Sequence, residues 1–154
     1  MVTFSRTAKN IELSRIEELE RHVKLTFPIE YKVHLQTNNG GQCYPNIFSF
    51  FELGNHTESS VNWFFAIFEG EYNNLKEYID IYKIEEKRLP NHILPIASDP
   101  GGNLICISCR ESDYGYIYFW DHENEIDHNF SNDNDYSNLF LIATNFASFL
   151  EGLY

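Results

Sequence analysis

Apolar residues near the start of the chain recur at helical spacing. Ile16, Leu19 and Val23 fall on one face, in a run that opens with Ser14-Arg15-Ile16-Glu17, the form of a capping box. Glu17, Glu18 and Glu20 follow in the first turns, where the helix dipole favours carboxylates. A second helix is predicted from Pro28, because proline suits the first helical position; Tyr31 and Leu35 share its buried face. Asn38-Asn39-Gly40-Gly41 is its stop, since glycine readily takes the left-handed conformation a helix end needs.

The period then changes. Residues 43–53 and 61–68 are rich in aromatic and β-branched side chains and read as strands, with Gly54 to Ser60 as the turn between them. Residues 72–88 return to helical spacing: Leu75, Ile79 and Tyr82 form the apolar stripe, and Glu85, Glu86, Lys87 and Arg88 the polar end before Pro90. After Ile93-Leu94-Pro95-Ile96-Ala97 comes turn chemistry, Ser98-Asp99-Pro100-Gly101-Gly102-Asn103. Leu104–Cys109 and Tyr116–Trp120 are two further strands, with Asp113-Tyr114-Gly115 as a hairpin loop. Residues 121–138 are polar and acidic, and Phe146, Phe149, Leu150 and Leu153 mark a closing amphipathic helix. Hairpin-length loops between the later strands favour an α+β fold, with a central, mostly antiparallel sheet flanked by helices, over a parallel α/β sheet. A length of 154 residues without a linker or internal repeat predicts one domain over 1–154.

Charge sharpens this picture. The net charge is −12, and it is uneven: residues 1–110 hold all eleven Lys and Arg against fourteen acids, whereas residues 111–154 hold nine acids and no Lys or Arg. Such a balance disfavours nucleic acid and anionic membrane surfaces as partners and favours basic proteins. The N-terminus has no apolar signal region, no stretch is long enough to span a membrane, and the cysteines number three. Together these predict a cytoplasmic protein without disulfides.

Candidate chemistry is sparse. Cys106-Ile107-Ser108-Cys109 is a C-x-x-C in form, but it lies in an apolar strand, where residues three apart point to opposite faces; it reads as core. Asp121-His122-Glu123-Asn124-Glu125-Ile126-Asp127-His128 resembles a calcium loop only superficially, having Ile126 where glycine and Asn132 where glutamate are required. Gly101-Gly102-Asn103 precedes a strand rather than a helix, so it is a turn and not a phosphate cradle. No catalytic motif is present in the sequence, and neither a catalytic residue, a metal site nor a cofactor is assigned. What remains is a surface. Asp121, Glu123, Glu125, Asp127, Asp133 and Asp135, with Tyr114 and Tyr116 just before them, combine carboxylates that steer encounter with aromatics that anchor it, and they are the candidate partner-binding residues.

Three blocks in order resemble the SUKH superfamily in its Smi–Knr branch. The first is Ile16-Glu17-Glu18-Leu19-Glu20 with Phe27-Pro28-Ile29-Glu30-Tyr31-Lys32, Leu35 and Asn39-Gly40-Gly41. The second is Leu94-Pro95-Ile96-Ala97, Asp99, Gly101-Gly102-Asn103, Ile105-Cys106, Gly115 and Ile117-Tyr118-Phe119-Trp120-Asp121-His122-Glu123. The third is Ile142-Ala143 with Phe146 and Phe149-Leu150. The resemblance implies an α+β fold and a non-enzymatic, protein-binding role. Many bacterial members look like immunity proteins that bind and neutralise a cognate toxin, nucleases among them, whereas fungal relatives act as regulators through protein contacts. It implies that the glycines and Trp120 are fold determinants. A basic toxin met by occlusion is therefore the expected partner, and a regulatory or scaffold role is the alternative.

Overall fold

The computed structural model describes residues 1–125 and 134–154. In chain order the elements are β1 (Thr3–Ser5), α1 (Leu13–Val23), α2 (Ile29–Thr37), β2 (Gln42–Tyr44), β3 (Ile47–Glu52), β4 (Asn55–Ser60), β5 (Trp63–Phe64) and α3 (Leu75–Ile79). A π-helical turn, Asp80–Glu85, continues α3; then come β6 (Ile93–Ser98), β7 (Leu104–Ser108), β8 (Ile117–Trp120), β9 (Leu139–Ala143) and α4 (Phe146–Glu151). Strands β5 to β9 form a five-stranded antiparallel meander in sequence order, and β1–β2 and β3–β4 form two antiparallel pairs beside it. The fold is α+β, as the short loops require.

β8 explains the layering. All four of its residues are buried, which needs cover on both faces of the sheet. Phe119 points to one side, where its ring stacks on Phe50 of β3 at 4.5 Å and meets Phe48 at 6.1 Å. Phe48 also meets Phe149 of α4, at 6.0 Å. Trp120 points to the other side and meets Tyr82 of the π-turn edge-on at 5.8 Å. One core cluster joins these layers, from Ile16 and Leu19 of α1 to Leu153.

Several local expectations need correction. α1 starts at Leu13, with Glu12 at its N-cap, so Ser14 lies inside the first turn and caps nothing; Glu17 onward fall beyond that turn. Glu20 instead accepts from the Phe27 backbone N–H at 2.7 Å and pairs with Lys32 at 3.1 Å, tying α1 to the start of α2. Asn55–Ser60, expected within a turn, is strand β4; the reversal is the two-residue Leu53-Gly54, both at positive φ as a type I′ hairpin turn demands. β4 escapes a hydrophobicity reading because it pairs with β3 alone and carries polar side chains throughout. β9 lies at the edge of the meander, with Leu141 exposed, and its helix-like neighbours hide it in the sequence.

The Asn39-Gly40-Gly41 stop does more than end α2. The buried Asn39 amide donates to the carbonyls of Lys9 and Ile67 and accepts from the Ile67 N–H. Gly41 exchanges backbone hydrogen bonds with Phe64. A Cβ on Gly40 would stand 2.6 Å from that of Ala66 and 2.9 Å from two backbone atoms. Glycine is required here by proximity as well as by its φ of +72°.

Candidate protein-binding site

The acidic stretch begins where β8 ends. Asp121 is buried, and its carboxylate accepts from the Glu123 N–H at 2.9 Å and the Asn124 amide at 2.6 Å, capping the short turn His122–Asn124. It shapes the stretch and offers little surface. Glu123 is exposed, and Glu125 is held by the Arg88 guanidinium, which also reaches Glu86 at 3.1 Å. Asp127 and Asp133 lie outside the described residues. Asp135, half-buried, accepts from the Ser137 N–H at 3.0 Å. Tyr114 is exposed at the far end of β8 and donates to the Thr26 carbonyl at 2.7 Å; half-buried Tyr116 packs near Tyr118. Asp121, Glu123 and Glu125 are thus close together, while the four residues of β8, about 13 Å at strand rise, separate them from Tyr114 and Tyr116.

The segment 134–138 is pinned back along the sheet by a polar hub. Asp113 Oδ1 accepts from the Ser108 hydroxyl at 2.5 Å and from Arg110 Nε at 2.9 Å; Oδ2 accepts from the hydroxyls of Tyr118 and Tyr136 at 2.8 and 2.9 Å. Because Tyr136 spends its proton on Asp113, its oxygen accepts from His92 Nε2, 2.5 Å away. The Arg110 guanidinium also lies 4.5 Å from the Tyr136 ring centroid. Burial alone would raise the Asp113 pKa, but the donors from Ser108, Arg110, Tyr118 and Tyr136 outweigh it and hold the carboxyl below its usual range. Burial and the Asp113 charge push the phenols of Tyr118 and Tyr136 up. The hub has the residue types of a catalytic cluster, yet the Ser108, Tyr118 and Tyr136 hydroxyls and Arg110 Nε are all spent on Asp113, and Arg110 also reaches the Asn134 side chain, so the cluster ties this segment to the sheet.

Two features that sequence reasoning missed adjoin Asp121–Glu125. The first is the tip of the β3–β4 hairpin. Burial and the nearby carboxylates of Asp121 and Glu123 raise the pKa of Glu52, which places the tip against the acidic stretch, and its neighbours Phe51 and Leu53 are exposed at 66% and 87%. The second is a groove of about 500 Å³ along α3 and the π-turn. Tyr78 stacks on Phe65 at 3.7 Å and parallel to Tyr82 at 5.6 Å. Arg88 lies over Tyr82 at 4.6 Å and Trp120 at 5.2 Å. Tyr72, at φ 64° and 80% exposed, also lines the groove, with Glu71, Glu77 and Glu86. The signal was present as Tyr78 and Tyr82 four residues apart with Glu77 and Glu86 beside them, but a helix-period reading places Tyr82 in the core.

Cys106 is fully buried and Cys109 half-buried, neither in a disulfide, and burial raises both thiols, that of Cys109 to about 12. They are core residues. Among the described residues no cluster of His, Cys, Asp and Glu could hold a metal, and no helix is long and apolar enough to cross a membrane.

The SMI1/KNR4 family (SUKH-1) matches this chain over residues 10–152. The chain belongs to that family. A SPbeta prophage-derived uncharacterized protein, YokK of Bacillus subtilis (strain 168), is 31% identical over 153 residues, covering 90% of this chain and 72% of the relative. In this SMI1/KNR4 chain the family blocks fall on fold-determining positions. Asn39-Gly40-Gly41 ties the end of α2 to Phe64 and Ile67, Asp99 closes the β6–β7 turn by accepting from the Gly101 and Asn103 N–H groups, and Trp120 is sealed under the π-turn.

Proposed function

We propose that this chain is an immunity-type protein that binds and neutralises a cognate toxin, without catalysis, by covering the toxin's basic functional surface. The observation that carries the reading is a surface joining exposed apolar anchors to carboxylates. It runs from Leu53 at the hairpin tip, past Glu52 and Glu123, to Glu125 and the tyrosine groove, in a chain of net charge −12. Membership of the SMI1/KNR4 family supports it, and a prophage-derived relative is compatible with it. A toxin that acts on nucleic acid presents Lys and Arg for phosphate, and acidic side chains mimic that ligand. The partner is then a basic protein and the place of action the cytoplasm.

The test is co-expression with the product of the adjacent gene, scoring growth. Rescue by the intact protein, and at least about tenfold weaker complex formation when Glu123 and Glu125 are both changed to Lys, is the expected result. A harmless neighbour that does not bind removes the immunity reading and favours a regulatory role.

A further inference from the structure

Strand β4 has one neighbour, and the hydrogen bonds around it show which side is free. It pairs with β3 through six consecutive residues without a bulge, from Ser60 opposite Ile47 to Asn55 opposite Glu52. Ile47 spends both its N–H and its C=O on Tyr154, each at 3.0 Å, so the Ile47–Ser60 pair exchanges no hydrogen bonds. Bonded and non-bonded pairs alternate along an antiparallel ladder. Asn55, Thr57 and Ser59 therefore bond β3, while His56, Glu58 and Ser60 turn both backbone groups away from it, and no described backbone group takes them. β4 carries no proline, lysine or bulge, the features that commonly shield an edge. β9, at the edge of the meander, is by contrast broken by a register shift at Ile117 and Tyr118.

We propose that this free edge receives an extended segment of a basic protein partner as an added strand, with a Lys or Arg side chain beside Glu58. An antiparallel strand places one residue directly opposite Glu58, exchanging two hydrogen bonds with it, and the two side chains share a face. Glu58 is exposed and stands in the middle of the free run. The Tyr154 hydroxyl donates to its carboxylate, but among the described residues no cation pairs with it. Charge selects the occupant. A second copy of this chain aligned about Glu58 would oppose two carboxylates, and each copy carries a net −12, whereas a basic strand gains at the same position. The edge runs on from the Leu53-Gly54 turn at the hairpin tip. The inference rests on the reading of the chain as a binder of a basic protein and names a backbone contact it uses.

The experiment is a titration of the full chain, followed by amide chemical shifts, with acetyl-Thr-Val-Lys-Val-Thr-amide. Saturable shifts, largest at residues 55–60, are expected. The peptide with Glu in place of Lys should bind about two- to fivefold more weakly. The peptide N-methylated at its Lys amide should not bind, because it loses the donor to Glu58 and cannot approach the edge. Glu58→Lys should reverse the preference between the Lys and Glu peptides. Glu58→Pro should abolish the response with little change in melting, since the Glu58 N–H does not serve the ladder to β3; if that variant fails to fold, the reversal by Glu58→Lys decides. No saturable response at these residues, an equal response to the N-methylated peptide, or an unreversed preference would overturn the proposal. Concentration-dependent shifts of the same amides without peptide would also overturn it, by assigning the edge to a second copy. Growth rescue by the intact chain separates the two readings. Rescue without a response at β4 sinks the strand site alone, and a response at β4 without rescue sinks the neutralising role alone.

Discussion

His34 is an imidazole walled by the rings of Phe4 and Phe146, each at 4.8 Å, and Phe64 at 5.6 Å, with no hydrogen-bond partner for Nε2 among the described residues. Burial lowers its pKa to about 4 from an ordinary 6.5. The unfolded chain therefore takes up a proton that the folded chain refuses, and stability falls as the pH drops from about 6.5 towards 4. The loss is on the order of 3 kcal/mol across that window. Urea denaturation at pH 7 and pH 5 should show a steeper loss for the native chain than for His34→Phe; equal slopes would mean the ring is hydrated in solution. Asp113 acts lower on the scale. Its depressed pKa makes it stabilising above the ordinary carboxylate range, and that contribution disappears as the pH falls through the depressed value. Asp113→Ala orphans the Ser108 and Tyr118 hydroxyls and the Arg110 guanidinium together, and should cost about 3–5 kcal/mol by equilibrium denaturation. A loss below about 1 kcal/mol would show that water satisfies them.

At the level of elements, residues facing the core were legible and residues facing each other's backbone were not. Ile16, Leu19, Tyr31, Leu35, Leu75, Ile79, Phe146 and Phe149 are buried as their spacing requires. Burial of apolar area is periodic, and the period survives in the sequence. β4 was misread because edge pairing leaves no hydrophobic trace, and the π-turn because it keeps a helical apolar stripe while changing the hydrogen-bond ladder. The glycines after α2 read as a helix stop, yet their larger role is close approach to Phe64 and Ala66. Gly40→Ala tests this. Left-handed strain and the overlap with backbone atoms should together cost about 2–4 kcal/mol in thermal or urea unfolding. A near-neutral Gly40→Ala would show that the loop moves aside and that helix termination is the glycine's main task.

Across the whole molecule, the acidic balance of residues 111–154 was plain in the sequence, but the surface it serves was not, because that surface is assembled from distant segments. Glu52 and Leu53 arrive on a hairpin, Glu71, Glu77 and Glu86 before, within and after α3 and its π-turn, and Glu123 and Glu125 after β8. Asp121, chosen from sequence with its neighbours, is turned inward to cap the turn that presents them. A field built from scattered carboxylates acts at long range, and at about 0.15 M salt it is screened within about 8 Å. Association with a basic partner should therefore be steered: the on-rate should fall at least about tenfold from 0.01 to 0.15 M salt, while the off-rate, set by the buried anchors, changes much less. Stopped-flow mixing with the proposed toxin partner measures both. Glu123→Lys should flatten the salt dependence of the on-rate, and Leu53→Ala should leave it steep while raising the off-rate. If Leu53→Ala changed neither rate, the hairpin tip would lie outside the interface, and the groove would be left as its apolar centre.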